Sequence, residues 1–267
     1  MSPGPCARIC YIPRVPKVSA IVITLNEAHN IEACVTSVSW ADEVLVVDSG
    51  STDDTVARAA RLGARVVTRE WPGYAAQKNW AAGAAAHDWI LSVDADERVT
   101  PELAKEIQAT IQNDPPTAGF RVPRVTWHLG RWIRTTDWYP DYQLRLYHRQ
   151  RAQWSVSRVH ESVTATGTVS TLTNELQHYA YRDISHHHVT MDRYTALAAA
   201  EMFERGRRAG VLDLVLHPPA AFLRNYVLRR GIADGIPGLI ISAMNAHYVF
   251  LKFAKLWALE RDAIGPH

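Results

Sequence analysis

The sequence predicts an α/β fold: a mixed, mostly parallel sheet covered by helices, with a helical appendage at its C-terminal end. Three observations carry that prediction. Over residues 17–113, short apolar runs alternate with helix-like segments, the mark of βαβ units. The runs are too uniformly apolar for a sheet with one wet face, so helices must cover both. After residue 113 the pattern changes to short alternating strands, and from about residue 186 it turns helical again.

Residues 1–16 are spaced by Pro and Gly, show no period, and read as a flexible leader without the apolar core of a signal peptide. VSAIVIT (18–24) is the first strand, ending at polar NEAHN before the helical NIEACVTSV. EVLVVD (43–48) is the second; SGSTDD then leads into TVARAARLG, where Ser51 or Thr52 can cap the helix and Gly63 suits the residue just past its end. RVVT, the Ala-rich helix YAAQKNWAAGAAAH and the strand DWILSVD (88–94) follow. Thr100-Pro101 makes a cap and first helical position for PELAKEIQATIQ. Beyond it AGFRVPRV, YQLRLYH, AQWSV and VHESV read as strands. HHHVTMDRYTALAAAEMFERGRRAG reads as one long helix, and two further helical segments are split around residues 231–238. The chain therefore divides into a leader (1–16), an α/β domain (17–185) and a C-terminal helical region (186–267).

With 47% hydrophobic and 21% charged residues among 267, the chain can bury a sizeable core, which excludes disordered and low-complexity classes. Cys6, Cys10 and Cys34 are too few for a disulfide framework or a zinc site, so a soluble protein of a reducing, cytoplasmic compartment is expected. The net charge of +2 hides a segregation. Residues 17–114 hold 8 basic and 15 acidic side chains, whereas residues 117–160 hold 8 arginines, no lysine and 2 aspartates. Such asymmetry speaks of partners rather than of fold.

In parallel sheets ligands bind at the carboxyl ends of the strands, so the loops after Thr24, Asp48 and Asp94 face one crevice. Asp94 and Asp96, two apart just past a strand, suit Mg2+ or Mn2+ held by carboxylates together with substrate phosphates. An ionised Asp48 can only accept hydrogen bonds, as from a base or ribose, while Ser51 to Asp54 can cap the following helix. No G-x-G-x-x-G or Walker motif is present, so a metal and a cation such as Lys78 would have to neutralise phosphates. The absence of G-x-S-x-G removes the main hydrolase reading.

TLNEAHNI, VVDSGSTDDT, GYAAQKNWA and ILSVDADERVTPEL, in this order and spacing, resemble the nucleotide-sugar half of glycosyltransferase family 2. The D-A-D-E form, VHESV and the tail DGIPGLIISAMNAHYVFLKFAKLW look like the lipopolysaccharide core glucosyltransferases that add glucose to heptose. The resemblance implies a GT-A fold, Rossmann-like, and inverting transfer of a hexose, glucose from a UDP-sugar, to a lipid-linked glycan, an inner-core heptose. It implies that Thr24, Asn26 and Glu27 border the nucleotide, that Asp48 contacts the base or ribose, and that Lys78 stands near the base and pyrophosphate. Asp96, helped by Asp94, would hold the metal. The family's usual second-half acid pair is not obvious here. VHE (159–161) takes its place in the subgroup, which makes Glu161 the candidate base, with His160 to orient it or assist the metal.

The arginines of residues 117–160 are interleaved with tryptophans, a mixture that fits an acidic or phosphorylated sugar acceptor, and Arg145, Trp154 and Arg158 are named for that contact. The same composition could stack bases, but the acidic crevice beside it argues against nucleic acid. His186, His187 and His188 are consecutive on a helix and point about 100° apart, so they read as packing residues rather than ligands of one ion. Residues 236–251 are apolar but too short for the ~20 residues of a spanning helix. Residues 212–230 mix Arg224, Arg229 and Arg230 with Leu, Phe and Tyr, as a helix lying in a membrane interface does. The expected location is thus cytoplasmic, with peripheral attachment to the inner membrane's cytoplasmic face. The rival readings are an exopolysaccharide or polyprenyl-phosphate acceptor, and a non-catalytic carbohydrate- or membrane-binding protein on the same fold. A sugar nucleotidyltransferase lacks support, because its glycine-rich signature does not follow the first strand.

Overall fold

The computed structural model describes residues 16–112, 114–155 and 162–264. The first half builds strands β1 (Val18–Thr24), β2 (Glu43–Asp48), β3 (Arg65–Thr68), β4 (Trp89–Asp94) and β5 (Glu97–Val99), with helices α1 (Ile31–Ser37), α2 (Thr55–Arg61), α3 (Tyr74–Ala84) and α4 (Pro101–Ile111). The second adds β6 (Gly119–His128), β7 (Arg131–Ile133), β8 (Asp141–His148), β9 (Ala152–Trp154), β10 (Val163–Ala165), β11 (Val169–Thr171) and β12 (Leu176–His178). The chain then continues in α5 (Ile184–Glu204), α6 (Val211–Leu223) and α7 (Gly235–Ile264).

The main sheet runs β3-β2-β1-β4-β8-β6-β12-β5, with β7 and β11 on β6, while β9 and β10 form a separate ribbon. Its first four strands are parallel, and β8 pairs antiparallel with both β4 and β6, so the sheet is mixed as expected. Every residue of β1 is buried. Its even-numbered residues pack with α1 and α4 through Ile31, Leu103 and Ile107, and its odd-numbered Ile21 and Ile23 pack with Ala75 and Ala81 of α3. Burying an aliphatic side chain of this kind contributes roughly 1.5–3 kcal/mol, which is why an unbroken apolar run makes a stable central strand.

Register fixes the crevice. Thr24 lies opposite Asp48 across β1 and β2, and Ile23 lies opposite Asp94 across β1 and β4. The three strand ends therefore form one row, as the sequence requires. Thr100 caps α4 by accepting from Leu103 N at 3.1 Å, with Pro101 at the first helical position. Of Ser51 to Asp54, the residues expected to cap α2, Asp54 directly precedes the helix and Asp53 Oδ1 accepts from Thr55 N at 3.0 Å. The Ser51 hydroxyl is engaged elsewhere, donating to Asp48 and accepting from Asn26 N.

The C-terminal helices are latched to the sheet. Buried Asp234 receives Thr135 Oγ1 at 2.6 Å and pairs with Arg131 at 3.0 Å, and Asp137 N donates to Asn225 Oδ1 at 3.0 Å. A side chain on Gly238 would meet the Gly231 carbonyl oxygen at 1.9 Å, so only glycine lets α7 cross the preceding turn so closely. Ala199, Ala209, Phe253 and Leu256 form a small core between α5, α7 and the segment before α6. The helical stretch is longer than the sequence suggested. Gly231–Asp262 is long and apolar enough to cross a membrane by length and composition, and Ser242, Asn245 and His247 do not interrupt it.

Candidate active site

The loops after β1 and β2 brace one another. Asn26, in the left-handed region at φ 55°, accepts from Thr52 N at 2.8 Å, and its own N–H donates to Ser51 Oγ at 2.8 Å. Glu27 N donates to Thr55 Oγ1 at 2.8 Å, and Ala28 N donates to Asp53 Oδ2 at 3.2 Å. Asp48 is buried, and its carboxylate closes its own turn by accepting from Gly50 N and Ser51 N, both at 2.9 Å, and from the Ser51 hydroxyl. Burial pushes the Glu27 carboxyl above its ordinary pKa, against the opposing pull of Asn30 and His29. Thr24 Oγ1 is buried without a hydrogen-bond partner.

Beyond β4 the charges interlock. Asp94 accepts from Lys78 Nζ at 2.8 Å on one oxygen and from Arg145 Nη2 at 2.6 Å on the other. Arg145, 3% exposed, also donates to Glu97 Oε1 at 2.5 Å. Glu97 is fully buried; it takes Arg124 Nη1 at 2.9 Å and, through Oε2, the Asp94 backbone N–H at 3.0 Å. Arg124 pairs in turn with Asp141 at 2.7 Å. Lys78 lies 4.2 Å above the Trp154 ring, an attraction between cation and π-face that strengthens away from water. Burial pushes the Asp94 carboxyl up, but Arg145 and Lys78 outweigh it and hold the group well below the usual carboxylate range.

Three cations (Lys78, Arg124, Arg145) thus face three carboxylates (Asp94, Glu97, Asp141), which cancel. Asp96 stands outside this balance. It is partly exposed, and His178 Nε2 at 3.4 Å is its ion-pair neighbour. Burial raises its pKa, yet the His178 contact prevails and keeps the carboxyl below its ordinary value. The crevice thus presents Asp96, whose ion-pair neighbour is a histidine rather than a lysine or arginine, beside a scaffold whose charges balance.

Residues 19–165 match glycosyl transferase family 2. The chain belongs to that family. The chain is 31% identical over 261 residues to the lipopolysaccharide core biosynthesis glycosyltransferase LpsC of Rhizobium meliloti, with 95% of each chain covered. It is 33% identical over 257 residues to an uncharacterized glycosyltransferase of Rickettsia bellii, covering 91% of this chain and 87% of that one. A crystal structure of glucosyl-3-phosphoglycerate synthase from Mycobacterium tuberculosis, in complex with Mn2+, UDP and glucosyl-3-phosphoglycerate, is similar over 41% of this chain and 44% of that one, at 28% identity and a TM-score of 0.37. This family 2 glycosyltransferase has the GT-A fold, with its helical appendage at the C-terminal end.

The structure brings Thr24, Asn26, Glu27, Asp48, Lys78, Asp94 and Asp96 to one rim. Glu161, His160 and Arg158 lie outside the described residues. Arg145 and Trp154, named from sequence for the acceptor, instead sit beneath Asp94, where they fix its carboxylate and support Lys78. Other arginines of the stretch are engaged by the chain's own groups: Arg149 pairs with Asp88 and the exposed Arg134 with Glu175, while Arg151 donates to the Pro115 and Thr117 carbonyls. Sequence reasoning missed Glu97 as a hub and His178 as the neighbour of Asp96. Glu97 was visible as the fourth member of D-A-D-E, but nothing local marked His178, which arrives on a three-residue strand paired with β5.

Proposed function

We propose that this glycosyltransferase moves a hexose from a nucleoside diphosphate sugar to a sugar of a lipid-linked glycan, with inversion and with a divalent cation. Glucose from UDP-glucose and a heptose of the lipopolysaccharide inner core are the donor and acceptor of choice. Asp96, a partly exposed carboxylate with a histidine rather than a lysine or arginine as its ion-pair neighbour, carries the reading, and LpsC supports the choice of acceptor class.

The donor set fits Mg2+ or Mn2+. Among the described residues no three His, Cys, Asp or Glu side chains gather into a cluster, and these ions are commonly held by one or two carboxylates with substrate phosphates and water. Asp96 would hold the cation, with His178 beside it, while Asp94 stays bound to Lys78 and Arg145. A cation held there would supply charge stabilisation for the departing diphosphate. Thr24, Asn26, Glu27 and Asp48 would form the floor for the nucleoside, and Lys78 would face the pyrophosphate. Glu161, assisted by His160, would take the proton from the acceptor hydroxyl as it attacks the anomeric carbon from the face opposite the leaving group. Attack from that face inverts the centre.

Glu161→Gln should lower transfer by about 10²–10⁴-fold, the usual share of a positioned base, with nucleotide affinity retained. Radiolabelled transfer and calorimetric UDP binding would measure the two, and transfer near the wild-type rate would remove Glu161 from that role. The cation requirement is read from UDP release with Mn2+, with Mg2+ and with EDTA; equal rates in all three would contradict the assignment of Asp96.

A lipid-linked acceptor places the enzyme at a membrane, and one face of the appendage suits that. Val211, Leu212, Val215 and Leu216 of α6 are exposed, as are Leu228, Ile232 and Ile236 beyond it, with exposed Arg208 and Arg230 nearby. Apolar side chains beside cations are what an anionic membrane surface attracts.

A further inference from the structure

Between the sheet domain and the C-terminal helices lies a cavity of about 230 Å3. Its walls include Trp138 and Tyr181 from the sheet side, Tyr194 from α5, and Met244, Asn245 and Tyr248 from α7. It begins beside the reaction centre. Tyr179 N donates to the Asp96 carbonyl at 2.8 Å, and Tyr181, two residues further, feels the Asp96 charge.

The lining selects a chemistry. No Lys, Arg, Asp or Glu borders the cavity, so neither a phosphate nor a carboxylate would find a counter-charge there. Flat rings stand ready: Tyr181 stacks on His187 at 4.2 Å and 22°, and Trp138 lies 5.5 Å from Tyr181. The polar groups are directional and uncharged near neutral pH: three phenols, the Asn245 amide and the His187 imidazole, whose pKa burial holds down at about 4. Asn245 Nδ2 has no hydrogen-bond partner within the protein, a costly state for a buried donor, and a turn of the amide would offer it to a ligand oxygen. An acyl chain would leave that donor and the phenols unpaired. A ring with apolar faces and a rim of hydroxyls satisfies both the aromatic walls and the polar points. The volume falls below the ~300–1,000 Å3 of sites for larger ligands, which suits a single ring.

We propose that this cavity is an acceptor subsite for one uncharged pyranose, the ring neighbouring the sugar that receives the transferred hexose. The proposal rests on the transferase reading above, and gives the C-terminal helices half of the specificity. The anionic groups of the acceptor, by this account, lie elsewhere than in this cavity.

The full-length protein and methyl pyranosides of mannose, glucose and galactose as probes provide the test. Saturation-transfer NMR should show contact with the ring protons of at least one of them, accompanied by a change in tryptophan fluorescence. Met244→Trp, which fills the space, should abolish the contact. Asn245→Leu, which removes the waiting donor at similar volume, should weaken binding by about fivefold, the effect of one lost hydrogen bond. Acceptor KM should rise in both. No saturation transfer to any pyranoside, undiminished transfer in both variants, or binding of octanol in place of the sugars would each overturn the subsite. Release of UDP from UDP-glucose by the wild-type protein separates the two claims. Hydrolysis without pyranoside binding removes the subsite alone, whereas pyranoside binding without any donor turnover removes the transferase reading and the acceptor role with it, leaving a sugar-binding cavity.

Discussion

Glu97 receives two guanidinium groups on one oxygen and has no contact with water. An arrangement of this kind is costly to break, because removing one partner leaves a buried charge behind. Arg145→Met should therefore destabilise the fold by about 3–5 kcal/mol, and adding Glu97→Gln should recover part of that loss. Urea unfolding of both variants decides the matter, and a single-mutant cost under about 1 kcal/mol would refute the hub. Asp94 gives the same network a pH signature. Its folded pKa lies below its unfolded value of about 3.9, so its contribution is complete above that value and drains away as pH falls further. In Asp94→Asn the wild-type loss of stability below about pH 4 should flatten, as pH-dependent thermal unfolding would reveal. The carboxylates were legible because D-A-D-E directly follows an apolar run. Their partners were not, since Arg124 and Arg145 stand 27 and 48 residues from Glu97 and only the antiparallel return of β6 and β8 brings them under it.

The helix α5 shows what an element can hide. Its three consecutive histidines diverge: His187 is buried against Tyr181 and 3.3 Å from His128, while His188 stacks on His247 of α7. Burial, then the neighbouring histidines, push the His187 pKa down to about 4. The unfolded chain therefore binds a proton that the folded one refuses. Stability should rise by about 1–3 kcal/mol as pH increases from about 4 to 6.5, and be complete above that window. His187→Gln should remove most of this slope, and an unchanged slope in its urea midpoints at pH 5 and 7 would assign the effect to another group. The strands β1, β2 and β4 and the Thr100 cap were readable because each is a local pattern long enough to stand out. The strands β5, β7, β11 and β12 have three residues apiece, and their existence depends on pairing with distant segments. The length of α7 was underread because scattered polar residues look like interruptions until neighbouring helices accommodate them.

At the scale of the molecule, charge order along the chain and charge placement in space prove to be different things. The arginine-rich segment that looked like a surface for an anionic partner mostly neutralises the chain's own carboxylates and carbonyls, whereas exposed arginines accompany the apolar face of the appendage. That face should bind anionic vesicles in a flotation assay. Leu212→Asp combined with Leu216→Asp should abolish the binding at a cost to folding of no more than about 0.5 kcal/mol, as expected for exposed positions; vesicle binding unaltered by the pair would rule out this face as the membrane contact. The cross-braced loops after β1 and β2 have a kinetic consequence as well. A nucleotide arriving there would wait on no ordering of the floor beneath it, so rival donors would be captured at similar speeds and told apart by how long each remains.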